Sequence, residues 1–191
     1  FAKAMRGEMV SIMRPDLERL LRESVEGSVD LRYGTTVDRL ADGPSRVTVT
    51  LSDGTTLDAD LVVGADGVHS RIRSLVFGPE REYFRYLGMH TAAYVFEDHE
   101  VFQRVAGRFV LTETLSRQLG YYGLRDDRVA VFAVHRTEDP TLPDDPRDEL
   151  RRRYAGMGAL ADRALARCPS PEEIYYDQVA QIDLPRWTAG R

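Results

Sequence analysis

Asp66 lies between Gly64 and Gly67, and Ser70 and Arg73 follow at short intervals. Glycines beside a carboxylate let the backbone take positive φ or approach a ligand closely. The same arrangement also suits a structural task in which Asp66 caps a following helix, and on these residues alone both readings stand. Arg14 precedes Pro15 at the expected mouth of a helix, either as a solvated surface cation or as a group reaching an anion. The histidines at 69, 90, 99 and 135 have no metal-ligand spacing, and none joins a Ser-Asp pair of the hydrolase kind. His69 sits inside the turn, where it either approaches a ligand or serves the surface. Cys168, the only cysteine, excludes an internal disulfide and a cysteine metal site, and beside Pro169 it reads as a bystander. No residue is assigned a catalytic role, and no metal is expected.

These residues need rigid elements to hold them. Leu61-Val62-Val63 is a short apolar run with β-branched residues, which predicts a strand in a parallel sheet covered on both faces. Ligands in such sheets bind at the carboxyl ends of strands, where Asp66 falls. Upstream, Phe1 to Met13 is read as an extended lead-in. Pro15 predicts a helix start, Leu17, Leu20, Leu21 and Val25 form its buried stripe, and Gly27 ends it. Strands are expected at Val29 to Tyr33, Thr36 to Leu40 and Arg46 to Leu51, with Asp53-Gly54 as a hairpin turn and Leu57, Ala59 and Leu61 pointing inward on the return.

A helix around Ser70 to Val76 leads to a boundary at Gly78-Pro79. Beyond it the chain turns aromatic, concentrating the surface that could wall an organic molecule. Strands are expected at Arg85 to Phe96, Val101 to Val105, Arg108 to Leu115, Gln118 to Leu124 and Val129 to Arg136, in a largely antiparallel sheet. Asp145 before Pro146 reads as the cap of a helix reaching Tyr154, and a second helix spans Ala159 to Arg167. Ile174 to Ile182 then returns as a strand.

The spacing Asp66-Gly67, Ser70, Arg73 resembles the Gly-Asp-Gly segment of the FAD-dependent aromatic hydroxylases, the group A flavoprotein monooxygenases typified by p-hydroxybenzoate hydroxylase. Arg14-Pro15-Asp16-Leu17 upstream, and Asp177 followed by Pro185 to Arg191, match the same family in the same order. The resemblance covers nearly the whole chain. It implies an α/β (α+β) fold: part of an FAD-binding Rossmann-like domain with a β-meander over 1–80, a largely antiparallel substrate-binding domain over 81–182, and a return segment over 183–191. It further implies that Arg14, Asp66 and Gly67 bind the cofactor FAD, that NAD(P)H is the reductant, and that one sheet face covers the flavin ring. The reaction it implies is hydroxylation of an aromatic or polyketide-like small molecule through a flavin C4a-hydroperoxide. Two family motifs, Gly-x-Gly-x-x-Gly and a later Gly-Asp, are missing, so the chain is read as the middle of a longer enzyme, inactive by itself.

Composition bounds the alternatives. The chain of 191 residues is 42% hydrophobic and 30% charged, enough for one large core or one and a half domains. Its net charge of −5, without a basic block, argues against nucleic acid. No run approaches the ~18 apolar residues of a membrane span and no signal segment opens it, so a cytoplasmic protein is expected. No protein partner is evident. Lys3 is the only lysine, and the arginine excess suggests a GC-rich bacterial genome. Flavin-dependent halogenation, which needs a pocket lysine, or reduction on the same scaffold remains an alternative, as does a non-catalytic module binding a hydrophobic ligand.

Overall fold

The computed structural model describes residues 12–191, which form two compact units, one ending at Leu61 and the other starting at Val62. Most of the expected lead-in, and Lys3, lie outside the described residues.

In the first unit, helix α1 (Arg14–Val25) starts at Arg14, with Pro15 in its first turn and Met13 as the uncapped residue before it. Proline fits there because the first amides of a helix have no intrahelical partner to lose. The expected stripe is not buried: Leu17, Leu20 and Leu21 are exposed, and no α1 residue is buried. Helical spacing sets which side chains share a side, but burial needs an element to cover them. Val29 to Tyr33 is likewise not a strand; Asp30 accepts two hydrogen bonds from Arg32 within the segment, and among the described residues no strand pairs with it. The meander proper is β1 (Val37–Asp42), β2 (Val47–Leu51) and β3 (Thr56–Ala59), all antiparallel. Val47, Val49 and Leu51 are buried, as their alternation predicts. Gly54, at φ 83°, closes the β2–β3 turn, where Asp53 Oδ1 accepts from the Thr55 amide. Leu57 and Leu61 are exposed instead of inward, since β3 is an edge strand and the chain leaves the sheet at Asp60.

The expected buried strand is absent. Leu61 to Val63 forms no strand, and Leu61 and Val63 are 65% and 75% exposed. An apolar run becomes a central strand only when strands flank it, and no described strand does so. Its recorded backbone bond joins the Val62 amide to the Arg191 carbonyl at 3.3 Å. Every described strand pair is antiparallel.

After α2 (Arg71–Val76), the 14-residue β4 (Phe84–Glu97) carries the chain into a five-stranded sheet ordered β5-β6-β7-β4-β8. Its partners are β5 (Phe109–Glu113), β6 (Arg117–Gly123), β7 (Arg128–Arg136) and β8 (Tyr175–Ile182). The Asp126-Asp127 turn between β6 and β7 has φ positive at both residues, the twist that a two-residue hairpin needs. The expected strand at Val101 to Val105 is instead helix α3 (His99–Val105). Asp98 caps it by accepting from the Val101 amide, and the four-residue step from Val101 to Val105 buries both valines on one side.

Helices α3, α4 (Pro146–Tyr154) and α5 (Ala159–Ala166) supply side chains to the core on one side of this sheet. Asp145 caps α4 through the Arg147 and Asp148 amides, as its place before Pro146 predicts. Leu150, Tyr154, Ala161 and Ala164 pack with Ala92, Tyr94, Leu119, Val131 and Ala133. Leu150 is fully enclosed, so Leu150→Ala is expected to cost about 2–5 kcal/mol in a denaturant titration, the range for a buried leucine that leaves a cavity.

Candidate functional site

The turn after Gly64 is built by the residues whose spacing drew attention to it. Asp66 Oδ1 accepts from the Ser70 hydroxyl at 2.5 Å, and its Oδ2 accepts from the Ile72 amide at 3.0 Å. Ser70 is the N-cap of α2 and accepts from the Arg73 amide at 2.9 Å. The Arg73 side chain, buried, folds back to the carbonyls of Gly67 (3.4 Å) and Val68 (2.6 Å) and to Glu80 (3.1 Å). Asp66, Ser70 and Arg73 are therefore one hydrogen-bonded unit that shapes the turn. Burial opposes the charge on Asp66, but bonds from Ser70 and the amides of Ile72 and Arg71 outweigh it and hold the carboxyl below its usual range. The capping role expected as one alternative is present, through the amides at the start of α2.

Both glycines are required, for different reasons. Gly67 has φ 84°, where other residues are strained. A side chain on Gly64 would meet Ile72 carbons at 2.8 Å, so the close approach made here is to α2 itself.

His69 leads from the turn to the sheet. Its Nδ1 is 3.0 Å from Glu80 Oε1, its Nε2 is 3.9 Å from Asp177 Oδ2, and its ring stacks on Phe84 with centroids 6.0 Å apart. Asp177, on β8, also accepts from the Tyr175 hydroxyl at 3.2 Å.

The side of the sheet opposite the helix-packed core is lined by aromatic and aliphatic groups. Cross-strand register puts Phe109, Leu111, Gly120, Tyr122, Phe132 and Ala93 on this face, with Tyr175 and Asp177 at its β8 margin. Phe109, Leu111, Phe132 and Tyr175 are exposed. The Phe109 ring lies where a Gly120 side chain would be, since a Cβ there would meet its Cζ at 2.4 Å. The result is an exposed aromatic surface, with the Asp66 turn tied to one margin through His69 and Asp177. Arg14 lies in the other unit, exposed in the first turn of α1.

The opposite face holds a group that sequence reasoning missed. His90 and His135 are directly opposed on β4 and β7, both buried, with ring centroids 5.7 Å apart. The Tyr176 hydroxyl lies 3.3 Å from His90 Nδ1 and 3.4 Å from His135 Nε2, and His135 Nδ1 is 3.1 Å from the Tyr154 hydroxyl. Burial, reinforced by Arg153 and His90, pushes His135 down to about 4, and burial also lowers His90. The signal was the period-two pattern that puts each histidine in line with apolar residues, but only register joins them. Among the described residues no group of three His, Cys, Asp or Glu is placed to hold a metal. Burial raises the Cys168 thiol to about 11, which fits a bystander. A polar cleft lined by Asp98, Glu100, Arg163 and Arg167 lies elsewhere, and its Asp98 is held by Arg163 at 2.6 Å.

Residues 3–156 match the family model described as FAD binding domain. The chain belongs to this FAD-binding family. That agrees with the resemblance carried by Asp66-Gly67, Ser70 and Arg73. An uncharacterized Mycobacterium tuberculosis protein is 31% identical over 188 residues, 95% of this chain and 50% of that one. A flavin-dependent monooxygenase from an unknown prokaryotic organism is 26% identical over 190 residues, 95% of this chain and 47% of its own. The chain thus spans about half the length of the curated relatives it matches. Two solved structures share the fold of this FAD-binding chain. Tetracycline destructase Tet(55) has a TM-score of 0.77 at 23% identity, covering 93% of this chain and 48% of that one. Klebsiella pneumoniae HpxO complexed with FAD and uric acid gives 0.72 at 23%, covering 90% and 43%.

Proposed function

We propose that the full-length protein is an FAD-dependent monooxygenase that draws electrons from NAD(P)H and hydroxylates an aromatic or polyketide-like small molecule. One observation carries the reading: the Asp66–Gly67 turn is tied to the margin of an open aromatic sheet face. The residues suit FAD. An exposed apolar face of Phe109, Phe132 and Tyr122 matches planar rings, and the ionised Asp66 carboxylate is an acceptor for a ligand hydroxyl at the turn. Gly67 presents backbone without a side chain in the way. Bound FAD would supply the redox and oxygen-transfer chemistry, including the hydroxylation route that the resemblance implies. The chain's own part is to hold and shield: Arg14, Asp66 and Gly67 as cofactor contacts, and the aromatic face as a wall that excludes water from an aromatic substrate.

The proposed division of the parent is a partial FAD-binding domain over 1–80, a substrate-binding domain over 81–182 and a return segment over 183–191. A cytoplasmic location is part of the same proposal; no helix among the described residues is long and apolar enough to cross a membrane. The tetracycline destructase, and HpxO with its uric acid, support a small-molecule substrate.

Asp66→Ala in the full-length protein tests the site. Loss of the Asp66 bonds to Ser70 and to the first amides of α2 is expected to cost about 1 kcal/mol. A cofactor contact predicts more: lower flavin content and slower reduction by NADPH or NADH, read from flavin absorbance. Normal content and reduction in that variant would leave Asp66 as a cap alone. A colourless wild-type protein that takes up no added FAD would sink the monooxygenase reading.

A further inference from the structure

We infer that His69 is a positioning residue that sets the Asp66–Gly67 turn against the open sheet face, and through that placement controls FAD affinity. The inference rests on the cofactor role proposed above for the turn.

The connections run in one chain. Buried Arg73 grips the carbonyls of Gly67 and Val68 and reaches Glu80 Oε2 at 3.1 Å. Glu80 offers its other oxygen, Oε1, to His69 Nδ1 at 3.0 Å. The far nitrogen of the ring faces Asp177 at 3.9 Å, and Asp177 belongs to β8 at the margin of the aromatic face. Stacking on Phe84 holds the imidazole plane between the two carboxylates. The turn's shape, fixed by Arg73, is thus joined to the β8 margin of the sheet through His69. Each ring nitrogen of His69 faces a carboxylate oxygen, Glu80 on one side and Asp177 on the other. His69 is more than half exposed and such pairs add little to folding stability, so the link orients the turn without carrying the fold.

The test uses the full-length protein stripped of flavin and titrated with FAD, with urea unfolding of each flavin-free variant as the control. His69→Leu and Asp177→Val are each expected to weaken FAD binding by about fivefold, the upper range for an exposed ion pair. The double variant is expected to be no weaker than either single, because both remove the same link. His69→Arg, which keeps donors for both carboxylates, is expected to recover most of the affinity, while the urea midpoint stays at the wild-type value. Wild-type affinity in His69→Leu, multiplying losses in the double variant, or a urea midpoint that falls in step with affinity would each overturn the assignment. A wild-type protein that binds no FAD would overturn the cofactor reading itself, whereas wild-type binding with an unaffected His69→Leu removes only the role of His69.

Discussion

Arg73→Ala is expected to lose about 2–4 kcal/mol of stability in its unit and to release flavin from the full-length protein. The side chain is 7% exposed and donates to Gly67 O, Val68 O and Glu80, so truncation strips partners from two carbonyls and a carboxylate at once. Breaking one side of a partly buried charged pair also leaves the other charge uncompensated. Urea unfolding gives the stability change, and absorbance of the purified protein gives flavin content. Arg73→Lys is expected to recover only part, because a point ammonium cannot span the carbonyls and Glu80 as a planar fork does. Stability within about 0.5 kcal/mol of wild type in Arg73→Ala would show that the turn is held by Asp66 and Ser70 alone.

The second large effect concerns acid. His135 is neutral in the fold, with its proton affinity depressed to about 4, while an unfolded histidine titrates near 6.5. Between those values the unfolded chain binds the proton and the folded one does not, so stability falls as pH drops from about 6.5 to about 4. Above the unfolded value the contribution is complete, and below the folded value the loss levels off. For His135 alone the change amounts to about 3 kcal/mol, and His90, lowered in the same direction, adds to it. Arg117 and Arg153 lie on the same side, and Glu149, paired with Arg152 and Arg153, offers only partial relief. Urea unfolding from pH 7.5 to 4 is expected to show this slope in the wild type and a flatter one in His135→Gln. Equal slopes in the two proteins would remove the histidine pair as the source.

Local chemistry was legible wherever a residue acts through its own backbone. Pro15, Asp145 before Pro146 and Asp53-Gly54 all stand where the sequence places them, because caps and tight turns are decided within a few residues. Misreadings came where the deciding partner is distant. Val101 and Val105 look like strand residues until Asp98 is recognised as a cap, and Leu61 to Val63 looks like a central strand although no described strand flanks it. The leucines of α1 show the same limit, since periodicity names a face without naming its cover. Of the candidate site, Asp66, Gly67, Ser70 and Arg73 were legible as a spacing. The bridge from His69 to Asp177 was not, because it depends on how β8 lies beside β4. Nor was the His90–His135 pair, whose members are neighbours only through the register of β4 on β7.

Phe109 and Gly120 show how smoothness of the open face depends on a missing side chain. The ring rests in space that glycine leaves empty, and Phe109 belongs to β5, an edge strand, where it is free to swing outward. A methyl group at position 120 would lift the ring off the sheet and into the volume above it. Position 120 therefore works as a height setting for the aromatic surface: glycine lets the Phe109 ring rest on the sheet, and each added carbon would raise it.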